Sequence, residues 1–141
     1  MKGVHPILSH SALLIIGLVA MGMIVASLSS SFSKTERSLI NSEVDYIAES
    51  AKVKILEIYN LASQSEFSNG TFNLDMPEKI GDKKYLLILN QNLLTVRMPF
   101  ENDNIEVNRT LGIDANIGGE SYMPASINVQ KIGGLVTMEL V

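Results

Sequence analysis

The sequence predicts an α+β fold in which one long N-terminal helix, apolar first and amphipathic afterwards, packs on a small antiparallel β-sheet or β-sandwich domain. Three observations carry that reading. No charged side chain occurs between Lys2 and Lys34, apolar residues recur every three or four positions from Ile40 to Ala62, and beyond Ser68 the apolar period falls to two. The implied division is a helix over 4–65, apolar over 4–30 and amphipathic over 31–65, followed by a β domain over 66–141.

The apolar stretch Ile7 to Leu28 reads ILSHSALLIIGLVAMGMIVASL. At a rise of about 1.5 Å per residue, its roughly 20 apolar positions span a hydrocarbon core of about 30 Å. A lone segment crosses lipid only as a helix, because lipid offers no partners to free backbone groups. Pro6 suits a first helical turn, where its missing amide costs nothing. A secretory signal has a shorter apolar core, about 7 to 15 residues, before a small-x-small site. Ala26-Ser27-Leu28-Ser29 matches such a site only weakly, so the helix is expected to be retained. Lys2 favours an inside N-terminus, although Lys34 and Arg37 flank the far end. Gly22, Ala26 and Ser30 recur every four residues, a strip of small side chains of the kind through which membrane helices approach closely.

From Ser31 onward the pattern becomes a seam of Ile40, Val44, Ile47, Ala51, Ile55, Ile58 and Ala62, with Glu36, Arg37, Glu43, Asp45, Glu49, Lys52, Lys54 and Glu57 between them. No Pro or Gly interrupts Ser31 to Ser65, which predicts one helix of roughly 55 residues, about 85 Å long, from Pro6 to near Ser63. The triplet Ser29-Ser30-Ser31 is the expected bend.

Ser68-Asn69-Gly70 carries turn chemistry and is expected to stop the helix. Strands follow. Phe72, Leu74 and Met76 alternate with polar residues, Tyr85 to Leu89 is mostly apolar, and Leu94, Val96 and Met98 alternate again, with Asn90-Gln91-Asn92 as a hairpin and Pro77 and Pro99 as strand ends. Ile105 to Val107 and Thr110 to Ile113 read as shorter strands. Ala125 to Ile132 and Leu135 to Val141 form a terminal hairpin through Gly133-Gly134. The expectation is five to seven antiparallel strands whose apolar face is covered by the helix seam.

Composition excludes several function classes. Among 141 residues there is no cysteine, so neither a disulfide framework nor a thiolate metal site can exist. A net charge of −4 without a Lys/Arg cluster disfavours nucleic acid as a partner. His5 and His10 lie too far from Met21 and Met23 along a helix to share a metal. Asp75, Glu78, Asp82 and Glu101 to Asn104 lack EF-hand spacing and read as solvated loops. Gly118-Gly119, with no helix after it, reads as a turn and not a phosphate cradle. No Ser/His/Asp set can be assembled, so no enzyme, cofactor or metal is expected. Two sequons, Asn69-Gly70-Thr71 and Asn108-Arg109-Thr110, are candidate N-glycosylation sites if the domain is extracytoplasmic.

The N-terminus resembles the prepilin leader of archaeal type IV pilins and the related archaellins. Lys2-Gly3 is similar to the basic-small pair before processing, Val4-His5-Pro6-Ile7-Leu8 to the start of the mature chain, and the apolar helix lacks the early glutamate of bacterial type IV pilins. Phe72 to Gly81 leading to Tyr85-Leu86-Leu87-Ile88 resembles the first hairpin of pilin-like archaeal proteins. The resemblance implies a leader over 1–3 and processing at Lys2, Gly3 and Val4 by a prepilin peptidase. The retained helix would then pass from the membrane into a filament core. His5 departs from the small or apolar residue usual there. The implied partners are identical or related subunits, the membrane before assembly, and the assembly machinery, with the mature chain at the cell surface. A rod soluble in lipid can exchange lipid for identical rods, and a rotation that never closes gives a helical polymer. The alternative is a membrane-anchored accessory or binding protein whose extracytoplasmic β domain does not polymerise.

Overall fold

The computed structural model describes residues 4–64, 66–101 and 103–141, with side chains described from His10 onward. Helix α1 spans Val4–Ser63. Helical structure continues through the serine triplet, where Ser31 Oγ donates to the Ser27 carbonyl and Thr35 Oγ1 to the Ser31 carbonyl, each at 3.0 Å. The chain divides into two units, Met1–Leu39 and Ile40–Val141, so the helix from Ile40 onward belongs with the strands.

The strands are β1 (Asn69–Leu74), β2 (Lys79–Ile80), β3 (Lys83–Lys84), β4 (Leu86–Asn90), β5 (Leu93–Phe100), β6 (Asp103–Thr110), β7 (Asn116–Tyr122), β8 (Ala125–Ile132) and β9 (Leu135–Leu140). Seven of them form one sheet in the order β1-β8-β9-β7-β4-β5-β6, and β2 and β3 form a separate pair. The architecture is thus α+β with a mostly antiparallel sheet.

Several local expectations need correction. The sheet is not wholly antiparallel, because β9 lies parallel to β7 from Asn116↔Thr137 to Gly118↔Glu139. Gly118-Gly119 is not a turn but part of β7. Asn69 and Gly70 belong to β1 and not to a turn, while the helix ends at Ser63, where the uninterrupted run places it, with Gln64 N donating to the Leu61 carbonyl. Pro99 lies inside β5, past Arg97, the last β5 residue that β4 pairs, so only β6 is beside it in the sheet. Ile105 to Val107 is the middle of one eight-residue strand, and Thr110 to Ile113 is not a second one. Both predicted hairpin turns are present: Gln91 takes φ 52° between β4 and β5, and Gly133 and Gly134 take 59° and 89° between β8 and β9.

The core lies between α1 and one face of the sheet. Val44, Ile47, Ala51, Ile55, Ile58 and Ala62 are buried and Ile40 is half-buried, as the seam predicts, while Ala48 joins them. They share one cluster with Leu87, Leu94, Val96, Ile127, Val129 and Met138, the inward members of alternating strands. Polar groups fix the helix at its margins. Arg109, at an inward position of edge strand β6, pairs with Asp45 and with Glu49 (3.1 Å), one helical turn apart. Those carboxylates hold its guanidinium above its ordinary pKa, chiefly through the hydrogen bond to Asp45. At the helix C-terminus, Lys131 Nζ donates to the carbonyl of Ser63 (3.0 Å), the last residue of α1, and to that of Gln64 (2.6 Å) just beyond it, which also accepts from Phe67 N.

Candidate functional site

Among its described residues, the first unit presents an uncovered apolar surface. The α1 segment beginning at His10 is long and apolar enough to cross a membrane, and none of its most apolar window is buried. Leu14, Ile16, Met23 and Phe32 are all more than half exposed, Phe32 by 73%. So continuous a surface far exceeds the few hundred Å² of apolar patch that a soluble monomer ordinarily presents to water. It requires lipid or other protein. Gly22, Ala26 and Ser30 are exposed within it, and a Cβ on Gly22 would meet nothing within 4 Å. Lys2 and Gly3 lie outside the described residues, as does the side chain of Val4.

The second unit carries a smaller apolar surface on the helix face turned away from the sheet. Tyr46 is 71% exposed and Val53 48%. With Glu49, Ser50, Lys54 and Glu57 they line a shallow depression of about 350 Å³. Sequence reading places this face simply in solvent because charges dominate it. The spacing of seven that links Leu39, Tyr46 and Val53 was the available signal.

The two sequons occupy different settings. Asn69 opens β1 and is exposed. Asn108 lies within β6, where its Oδ1 accepts from Thr95 Oγ1 at 2.6 Å. Register places Asn69 and Asn108 both on the face of the sheet opposite the helix, because each alternates with residues that contact the core.

Among the described residues no three His, Cys, Asp or Glu side chains converge as a metal site would require. Comparison with protein-family models, curated proteins and solved structures finds no match.

Proposed function

We propose that the chain is a structural subunit of an extracellular helical filament, of the archaeal type IV pilus or archaellum-like class, that polymerises through its hydrophobic N-terminal helix. The observation that carries this reading is the membrane-length helix with none of its apolar window buried. Such a helix is stable in lipid before assembly and among identical helices after it, and the strip Gly22, Ala26 and Ser30 suits close approach in either setting. Tyr46 and Val53 expose further apolar surface within the second unit, where a simple membrane anchor has no use for it. The resemblance of Lys2-Gly3-Val4 to a prepilin processing site agrees with this reading. The β domain then coats the fibre, and the assembly partners are identical or related subunits delivered from the membrane.

Surface filaments sheared from cells and imaged by electron microscopy test the proposal, with mass spectrometry of their protein. The expected result is this chain within the filaments, beginning at Val4. A chain confined to the membrane fraction and retaining Met1 to Gly3 would overturn it in favour of an anchored, non-polymerising binding module.

A further inference from the structure

We propose that the solvent face of the sheet, across β1, β8 and β9, is a binding groove for a neutral saccharide. The groove has a volume of about 470 Å³ and is lined by Asn69, Thr71, Asn128, Gln130, Thr137 and Glu139. These residues occupy two adjacent ladder rows, Asn69↔Gln130↔Thr137 and Thr71↔Asn128↔Glu139. Their side chains project from the same face, because the intervening Val129 and Met138 point into the core. The floor stays low because Thr137 is short and Gly118, paired with Glu139, has no side chain. Beyond it, Asn116 and Gly118 line a second depression that shares Thr137 and Glu139.

The chemistry of the lining selects the ligand. Thr71 Oγ1 donates to Asn128 Oδ1 at 2.8 Å, which fixes the amide and leaves its NH₂ group to donate outward. The side chains of Asn69, Gln130, Thr137 and Glu139 make no hydrogen bond among the described residues. A primary amide offers a donor and an acceptor side by side, and a carboxylate accepts from two hydroxyls, the complement of vicinal sugar hydroxyls. No cation lines the groove, since the Lys131 ammonium is engaged with Ser63 and Gln64, so phosphates and acidic polymers lack a counter-charge. With no aromatic platform and only exposed hydrogen bonds, the Kd is on the order of 1 mM. This inference does not require that the chain polymerises.

Saturation-transfer difference NMR on the full chain in dodecylphosphocholine micelles, which carry no sugar headgroup, is the test. The probes are maltose, lactose and N,N′-diacetylchitobiose at millimolar concentration. For chain from a host that leaves Asn69 unglycosylated, we expect transfer to at least one probe. Thr137→Leu, which fills the floor with an aliphatic side chain and removes a hydroxyl, should reduce it at least fivefold and Glu139→Gln at least twofold, whereas Glu120→Gln, outside the groove, should leave it unchanged. Far-UV circular dichroism checks that each variant is folded, and Glu139→Gln, an isosteric surface change, supplies the comparison if Thr137→Leu is not. Transfer to no probe, or transfer equal in the folded groove variants, would overturn the proposal. Chain from its own organism distinguishes the source of the sugar. Binding only after enzymatic removal of N-glycans assigns the groove to the glycan on Asn69, and binding without that treatment assigns it to an external saccharide. Both support the groove.

Discussion

A Cβ on Gly119 would stand 2.5 Å from the carbonyl oxygen of Leu140 and 2.9 Å from its amide nitrogen, and this glycine holds φ at 113°. The contact sits where β7 stops pairing with β9, at Gly118↔Glu139, and continues beside β4. Backbone fills the space a side chain would need, and neither strand can move without breaking a ladder. Gly119→Ala is expected to destabilise the fold by about 3 kcal/mol or more. Gly118→Ala, with nothing within 4 Å of its Cβ, should cost about 1 kcal/mol or less. Urea unfolding of both variants in micelles checks the pair, and equal midpoints would refute the steric account.

The helix seam and the opposite helix face should respond oppositely to truncation. Ile55 is fully buried, so Ile55→Ala removes packed methyl groups and leaves a cavity, costing about 2 to 4 kcal/mol. Tyr46→Ser and Val53→Ser act on exposed side chains and should shift the unfolding of the isolated chain by about 0.5 kcal/mol or less. If the filament proposal holds, the same two variants lower the yield of sheared filaments. Unfolding curves and filament yield, measured on the same variants, separate the two roles.

Lys131 reaches from β8 to the Ser63 and Gln64 carbonyls and caps the end of α1 with charge. Lys131→Met keeps the aliphatic stem and loses both bonds, at an expected cost of about 1 kcal/mol. Lys131→Arg should recover most of it. Thermal melts by circular dichroism provide the measurement, and an arginine variant as unstable as the methionine one would argue against a cationic cap.

Tyr85 is buried, its hydroxyl donates to the Pro77 carbonyl at 2.5 Å, and burial pushes its pKa from 10.0 up to about 12. Below pH 10 folded and unfolded chains both keep the phenolic proton, and the contribution is whole. Between pH 10 and 12 the unfolded chain ionises first, so stability falls, by about 2 to 3 kcal/mol at the upper end. Tyr85→Phe should lose about 1 kcal/mol at neutral pH and show a shallower alkaline decline. Urea midpoints from pH 8 to 12 decide it, and parallel declines in the two proteins would contradict the assignment.

Much of the fold was legible before any coordinates. The uncharged run after Lys2 determined a membrane-length helix, the three-and-four spacing from Ile40 to Ala62 determined which helix face is buried, and Gly133-Gly134 determined the last hairpin. These are local signals, carried by residues close in sequence. Tertiary structure alone decided that β9 enters the middle of the sheet parallel to β7, that Gly119 must be bare because Leu140 passes it, and that Arg109 and Lys131 grip the helix from opposite parts of the sheet. It also gathered Asn69, Asn128, Gln130, Thr137 and Glu139 into one groove. Alternation tells each strand which side chains face water, but not which strand lies beside it. That choice depends on contacts between residues up to about 70 positions apart, whose loop-closure entropy is compensated only when the whole sheet is in place.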